Sequence, residues 1–205
     1  MKIIGVNGSP NAAGNTFLAI KAFFDEIQNE EFETELLHIG DGKIPGCIGC
    51  RGCAETGECV ITDDKFKELS GKLLHSDGIL LAAPVYFGTI PGQMKAFLDR
   101  FFFQSAQSSG MRLKIGASAA ILRRTGGYTT IDDLNRFFFA RDMISVGQTI
   151  IHGNLPGEIL QDFEGLAGIR RLARNMAWVL KMKESTKSVI DPPPYEKRVF
   201  MNFIR

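Results

Sequence analysis

Residues 2–28, KIIGVNGSPNAAGNTFLAIKAFFDEIQ, carry the clearest structural pattern in the chain. They begin with a β-branched apolar run typical of a strand and pass through the turn-rich segment GSPNAAGNT. From residue 16 onward, apolar residues recur at helical spacing. A strand, a short loop and a helix in this order form the opening unit of a parallel α/β sheet.

The same alternation of strand and helix patterns continues along the chain. Residues 77–83 include an uninterrupted apolar run, typical of a central parallel strand that is buried on both faces. Pro91 is well placed in the first turn of the helix that follows. Further strands are predicted at 34–39, 115–122 and 144–151, and further helices from 63, over 130–142 and over 165–183. The pattern predicts an α/β fold with a doubly wound, five-stranded parallel sheet in three α/β/α layers.

Length and composition indicate one globular domain. The chain has 205 residues, with 24 Lys and Arg against 23 Asp and Glu, and is 44% hydrophobic and 23% charged. This balance argues against disorder, a collagen-like fibre and an electrostatic nucleic-acid binder. The apolar run 79–83 is too short to cross a bilayer, and the N-terminus reaches Gly, Asn, Ser and Pro before a signal-peptide core could form. We expect a cytoplasmic protein without nucleic-acid or membrane partners, with its domain over 1–185 and a C-terminal arm over 186–205.

All four cysteines, Cys47, Cys50, Cys53 and Cys59, fall in the stretch CIGCRGCAETGEC, within a loop predicted over 44–62. Disulfides that close such small loops constrain little, and cytosolic thiols stay reduced. Zinc usually takes two separated CxxC pairs, whereas a CxxCxxCx5C run suits the corners of a cubane. The spacing favours one [4Fe–4S] cluster, with zinc and metal-free redox-active thiols as alternatives.

The loop after the first strand indicates the class of ligand. It lacks both the GxGxxG fingerprint and a Walker A motif, and residues 3–20 contain no charged residue. Ser9, Asn11, Asn15 and Thr16 instead offer neutral donors at a helix N-terminus, which suits a phosphate monoester. The alternative is that these four residues only form turns and caps.

The loop after the third strand offers a flat apolar and aromatic wall beside that phosphate site, because ligands of such sheets bind at the switch point between the first and third strands. A wall of this kind suits an isoalloxazine ring, unless Tyr86 and Phe87 are core aromatics. Gly126 and Gly127 would bring backbone N–H groups to the pyrimidine edge of the ring. The wall residues are Pro84, Val85, Tyr86, Phe87 and Gly88.

Charged residues outside these motifs are expected to be structural. Lys95, Asp99 and Arg100 are predicted to form an exposed ion pair on the surface of a helix, a contact of little energetic value. The three histidines are isolated in the sequence, and they form no nucleophile or metal-ligand set with the cysteines.

Three segments together, GSPNAAGNT, CIGCRGCAETGEC and PVYFGTIPGQMKAFLDR, resemble the iron–sulfur flavoproteins, a branch of the NADPH-dependent FMN reductase superfamily, over residues 1 to about 150. The resemblance implies a flavodoxin-like fold, FMN bound to each subunit and a [4Fe–4S] cluster on the four cysteines. It also implies an oligomer in which clusters and flavins of neighbouring subunits come close. From the Phe runs 101–103 and 137–139, which would seal cores or subunit contacts, we predict a homodimer or homotetramer. Carried onto this chain, the phosphate contacts are Ser9, Asn11, Asn15 and Thr16, and the ring contacts are 84–88 with Thr125, Gly126 and Gly127.

The predicted function is electron transfer. A one-electron donor, which the resemblance implies is ferredoxin-like, would reduce the cluster. Electrons would pass singly to FMN and on to an acceptor, so that no side chain acts as an acid or base. One alternative is an NAD(P)H-dependent FMN or quinone reductase, in which hydride reaches FMN directly and the cysteines hold zinc or nothing. Another is a zinc-stabilised binding module that has no flavin.

Overall fold

The computed structural model describes residues 1–41, 43–106, 109–196 and 203. Within these ranges five strands form a sheet in which every pairing is parallel. The strands are β1 (Lys2–Asn7), β2 (Glu33–His38), β3 (Gly78–Pro84), β4 (Ile115–Leu122) and β5 (Ile144–His152). All five predicted strands are therefore found, each within a residue or two of its expected bounds.

Helices connect the strands, and two short 3-10 turns, Ser109–Met111 and Glu158–Gln161, lie between them. The helices are α1 (Asn15–Glu26), α2 (Cys53–Thr56), α3 (Phe66–Leu74), α4 (Gly92–Ser105), α5 (Gly127–Ala140) and α6 (Phe163–Thr186). The sequence patterns predict five of these. The short helix α2 was missed, because four residues inside a cysteine-rich loop give no detectable periodicity.

The strand order is β2-β1-β3-β4-β5, which confirms the doubly wound parallel sheet. The chain reverses its direction of growth between β1 and β3, so the loops that follow these two strands lie side by side. The N–H of Gly8 donates to the carbonyl of Ala82 at 2.9 Å, which joins the end of β1 to β3. The carboxyl edge at this point is where ligands bind in folds of this type.

Two apolar layers cover the two faces of the sheet, because successive strand residues point to opposite sides. Ile3 lies in one layer and its neighbour Ile4 in the other, and both are fully buried. The first layer packs the sheet against α1 and α6, and the second packs it against α3, α4 and α5. The predicted three-layer α/β/α architecture is thus confirmed.

The C-terminal segment follows the end of α6 at Thr186. Residues 187–196 are exposed, and the Arg112 guanidinium donates hydrogen bonds to the carbonyls of Pro193 and Pro194. Most of the apolar residues of the predicted arm, at 199, 200 and 204, lie outside the described residues, so the arm stays a prediction. In the described ranges, no helix has the length and apolar character needed to span a membrane.

Candidate functional site

The β1–α1 loop, residues 8–14, lies at the carboxyl edge and is organised by its own polar side chains. The N–H of Ser9 donates to Asn7 Oδ1 at 3.0 Å, that of Asn11 donates to Ser9 Oγ at 3.1 Å, and that of Ala13 donates to Asn11 Oδ1 at 3.1 Å. Ser9 and Asn11 therefore form the loop's turns. The Ser9 hydroxyl proton and the Asn11 amide N–H groups are not consumed by these bonds.

The N-terminus of α1 has no side-chain cap. Gly14 precedes the helix and carries no side chain, so the N–H groups of the first turn keep their capacity to bond an anion. Thr16 lies in that turn and is buried, with 1% of its surface exposed. This arrangement fits a phosphate group, since an aligned helix dipole and free N–H groups favour negative charge there.

The last residue of β2, His38, and Gly40 just beyond it contact the same loop. A Cβ on Gly40 would lie 1.8 Å from the Ser9 carbonyl oxygen, so only glycine fits at this position. The ring nitrogen Nε2 of His38 is 2.8 Å from the same oxygen. These contacts fix the Ser9 backbone independently of any ligand.

Asn15 joins α1 to the loop after β5, a role that the sequence patterns did not predict. Its Nδ2 donates to the carbonyl of Leu155 at 2.9 Å, and the N–H of Gly157 donates to its Oδ1 at 2.8 Å. Both ends of the amide therefore tie α1 to the loop after β5. The predicted phosphate contact from Asn15 stays a prediction, and the backbone around it is the stronger candidate donor.

The β3 turn, residues 85–89, is a tight hairpin at the end of β3. The N–H of Tyr86 donates to the Thr89 carbonyl at 2.8 Å, and the N–H of Thr89 donates back at 3.2 Å. Phe87 and Gly88 both have positive φ, 49° and 89°, as a two-residue turn of this kind requires. Phe87 is fully exposed and Tyr86 is about half exposed, so neither aromatic ring belongs to the core.

The loop between β4 and α5 touches the β3 turn. Gly126 has φ 87°, and a Cβ there would lie 2.8 Å from Gly88 Cα and 2.7 Å from Val85 Cγ1. The Thr89 hydroxyl also donates to Asp133 of α5. The structure thus brings together the two loops that were predicted to hold the flavin ring. Contact of their residues with a ring stays a prediction.

The four cysteines line the same pocket, which has a volume of about 270 Å³. Cys47 and Cys50 are exposed, Cys53 and Cys59 are partly buried, and all four are free thiols. The four residues that the CxxCxxCx5C spacing singles out as ligands therefore border one space. No disulfide competes for the sulfur atoms.

The cysteine loop, residues 44–62, is bent by left-handed backbone conformations. Gly49 and Gly57 have φ of 68° and 74°, and Arg51 has φ of 60°. The N–H of Gly49 lies 3.5 Å from Cys47 Sγ, which is a weak hydrogen bond to sulfur. Such turns and N–H groups are what a thiolate-bound cluster needs around it.

The surroundings of Cys53 favour its neutral thiol over the thiolate. Burial raises the pKa of the Cys53 thiol, and the neighbouring Cys59, Cys47 and Cys50 raise it further, because thiolates this close repel one another. In the described part of the chain, no three Cys, His, Asp or Glu side chains form a group arranged to hold one metal ion. The donor type fits a cluster, since all four cysteines line one pocket and thiolates are the ligands that iron–sulfur clusters take. The ligand assignment stays a prediction.

The predicted surface position of Arg100 is wrong. Lys95 and Asp99 do form an exposed ion pair on α4, but Arg100 is 2% exposed and pairs with the buried Asp64. Its Nη2 also lies 3.3 Å from Cys59 Sγ. Burial opposes its charge, yet the hydrogen bonds with Asp64 and Cys59 prevail and place the pKa of Arg100 above its ordinary value.

Helix α4 packs against both predicted cofactor sites. Met94 lies under Gly8 of the β1–α1 loop, where a glycine Cβ would be 2.9 Å from the Met94 sulfur. Farther along the same helix, Arg100 lines the cysteine pocket. Six residues, about 9 Å along a helix axis, separate Met94 from Arg100. The two sites are therefore built against a common rigid element.

The strand order and the loops at its carboxyl edge define a flavodoxin-like protein. The profile of the NADPH-dependent FMN reductase family matches residues 1–155. The chain is also 37% identical over 195 residues to an iron–sulfur flavoprotein of Methanocaldococcus jannaschii, a match that covers 89% of this chain and 98% of the relative. The chain therefore belongs to the iron–sulfur flavoproteins of the NADPH-dependent FMN reductase family, and it is a flavin-dependent oxidoreductase.

Two further comparisons agree with this assignment. The iron–sulfur flavoprotein of Methanosarcina thermophila is 30% identical over 192 residues, which cover 91% of this chain and 99% of that protein. A solved structure of RosB with a bound 8-demethyl-8-formylriboflavin-5′-phosphate intermediate superposes with a TM-score of 0.74 at 15% identity, covering 100% of this chain and 94% of that one. The second likeness shows the fold alone.

Proposed function

We propose that this protein transfers electrons from a low-potential, ferredoxin-like donor to an acceptor through a [4Fe–4S] cluster and FMN. When bound, the two cofactors supply the redox chemistry, since a cluster exchanges single electrons and a flavin exchanges one or two. The observation that carries the proposal is the shared helix α4. It packs under the β1–α1 loop at Met94 and lines the pocket of the four thiols at Arg100.

The residues at the β1–α1 loop would hold the phosphate of FMN. The N–H groups at the start of α1 and the Ser9 and Thr16 hydroxyls provide neutral donors, and residues 3–20 contain no charged side chain. Asn11 adds an amide whose N–H groups are not used by the loop's own turns. The chain therefore binds the dianion through dipoles rather than a counter-charge.

The β3 turn and the β4–α5 loop would hold the flavin ring. Their contact at Gly126 makes one continuous wall of backbone and aromatic surface at the carboxyl edge. Exposed Tyr86 and Phe87 supply apolar area, and the N-terminus of α5 at Gly127 supplies N–H groups. The remaining ring contacts in the proposal are Pro84, Val85, Gly88 and Thr125.

Cys47, Cys50, Cys53 and Cys59 would ligate the cluster. Support comes from their common pocket, from the left-handed turns between them and from the Arg100 guanidinium beside Cys59. The iron–sulfur flavoprotein names of the relatives agree with this assignment.

The deciding experiment is a cofactor assay on protein purified without oxygen. The visible spectrum, iron, zinc, acid-labile sulfide and released FMN are measured on one sample. We expect about four iron, about four sulfide and one FMN per chain. FMN without iron would contradict the electron-transfer proposal, and zinc without flavin would leave only a binding module.

A second candidate function is an NAD(P)H-dependent FMN or quinone reductase without a functional cluster. The matching family profile, that of the NADPH-dependent FMN reductases, favours it. Stopped-flow mixing with NADPH or NADH separates the two functions. Rapid bleaching of the flavin by the nucleotide alone supports the reductase, and bleaching only by a reduced ferredoxin-like donor supports electron transfer through the cluster.

The cytoplasmic location and the homo-oligomer belong to the same proposal. Phe103 and Phe139, the exposed last residues of the two Phe runs on α4 and α5, support association of subunits. Light scattering at micromolar concentration is expected to give a dimer or tetramer mass. A monomer mass would contradict that part of the proposal.

A further inference from the structure

Arg100 joins the two ends of the cysteine loop. It donates to the carbonyl of Pro45 at 3.4 Å, just before the first cysteine, and to the carbonyl of Ile61 at 3.0 Å, just after the last. It also pairs with Asp64, close beyond the loop. One side chain on α4 thus bonds both ends of a loop in which residues 45–51 and 54–58 are exposed.

The guanidinium is held in a defined orientation. Its carbon lies 4.0 Å from the centre of the Phe66 ring, a distance at which the cation is attracted to the face of the ring. Its side chain is fully buried and that of Asp64 is 4% exposed, so solvent screens this pair little. The planar fork of Arg bonds several acceptors at once, which the single ammonium of Lys does not reproduce.

The same guanidinium also bonds a cysteine of the pocket. Its Nη2 donates to Cys59 Sγ at 3.3 Å. Arg100 Nε and Gln104 Oε1, two buried atoms of residues that line the pocket, have no partner among the described residues.

We infer that Arg100 is a positioning residue for the cluster, and that its N–H on Cys59 raises the cluster's reduction potential. The inference rests on the proposed function. Hydrogen bonds to cluster sulfurs and nearby positive charge stabilise the reduced, more negative state. Removing this N–H makes the cluster harder to reduce, and removing the link to Pro45 and Ile61 loosens the loop.

The test compares Arg100→Lys and Arg100→Gln with a matched control, Lys95→Gln. The control removes one positive charge from an exposed position of the same helix, where Lys95 pairs with Asp99. Each protein is purified without oxygen, and its iron, sulfide and midpoint potential are measured, the potential by a redox titration followed by electron paramagnetic resonance. Hydrogen exchange of residues 45–61 is measured on the same samples.

We expect a shift to more negative potential in Arg100→Lys, a larger one in Arg100→Gln and none in Lys95→Gln. Exchange in the cysteine loop is expected to be faster in both Arg100 variants. An unchanged midpoint potential in cluster-replete Arg100→Lys overturns the claim that Arg100 raises the cluster's potential. Unchanged hydrogen exchange of residues 45–61 overturns the claim that Arg100 positions the loop. If Arg100→Gln does not fold, Arg100→Lys still decides both parts. Wild-type protein without iron contradicts the proposed function, whereas exchange rates still decide whether Arg100 positions the loop.

Discussion

The β1–α1 loop and the cysteine loop both pack against α4, but they are held by different means. The first is fixed largely by backbone: β1 and β3 pair beneath it, and Gly40 touches the Ser9 carbonyl. The second depends on the side chain of Arg100, and it leaves Cys47 and Cys50 exposed. The predicted flavin site is thus built on the backbone of the sheet, whereas the predicted cluster site lies in a loop that a side chain holds to α4.

This difference has an energetic consequence. Backbone contacts inside a parallel sheet persist unless the whole domain unfolds, while a loop tied by few contacts opens at lower cost. Binding of a cluster to four thiols would raise the free energy needed to open the loop, because the free energy of metal binding adds to the stability of the folded loop. Substitutions in the cysteine loop are therefore expected to change iron content, and substitutions around the flavin site to change FMN affinity.

The largest expected effect is that of Cys50→Ala. The variant is expected to lose nearly all of its about four irons and the broad visible absorbance of the cluster, while it keeps FMN and the secondary structure of the domain. Anaerobic iron and flavin assays with circular dichroism check this. Glu55→Ala, an exposed change in the same loop at a residue that does not line the pocket, is the control and is expected to keep the iron. Full iron in Cys50→Ala would contradict the ligand assignment.

A second substitution probes the flavin side. Gly126→Ala combines an unfavourable φ of 87° with a Cβ only 2.8 Å from Gly88 Cα, so the β3 turn must move. We expect the dissociation constant of FMN to rise roughly tenfold or more, about 1.4 kcal/mol. Gly157→Ala is the matched control, because φ is again 87° but nothing lies within 4 Å of the added Cβ. Equal loss of affinity in both variants would show that backbone strain alone is responsible.

Two neighbouring residues of α1 are expected to respond in opposite ways. Asn15→Ala removes two hydrogen bonds to the loop after β5 and is expected to lower the free energy of unfolding by about 1–2 kcal/mol, with little change in FMN affinity. Thr16→Val keeps the shape but removes a donor, so FMN affinity falls and stability changes little. Urea unfolding and FMN titration measure both quantities. A large loss of FMN affinity in Asn15→Ala would restore Asn15 as a phosphate contact.

The smallest expected effect concerns Asp162, which caps α6. Burial would raise its pKa, but hydrogen bonds from the N–H groups of His152 and Gly165 prevail and hold the pKa below its ordinary value. The carboxylate therefore contributes stability above the unfolded-state pKa of about 3.9, and this is lost as the pH falls through the lower folded-state pKa. Asp162→Asn is expected to flatten the pH dependence of unfolding between about pH 5 and pH 2. The exposed Asp132→Asn serves as control, and an unchanged pH profile in Asp162→Asn would contradict this role.

The fold was predictable from local signals. The strands and long helices follow from periodicity and turn residues, which depend on neighbours a few positions apart. The crowding of four cysteines within 13 residues, and the uncharged turn-rich loop after β1, likewise mark the two candidate sites in the sequence itself. The sequence by itself therefore determined the fold class, the family and the segments that would carry the cofactors.

The roles of Arg100 and Asn15 were decided only by the tertiary structure. Arg100 pairs with Asp64 across 36 positions, and Asn15 bonds Leu155 across 140. In the sequence, Arg100 stands beside Asp99 and has the pattern of an exposed ion pair. Whether a charge is buried depends on which distant chain segment supplies its partner, because an ion is stable in the interior only when paired and hydrogen-bonded. Helical spacing specifies the face on which a side chain lies, but packing of the whole chain decides what that face meets.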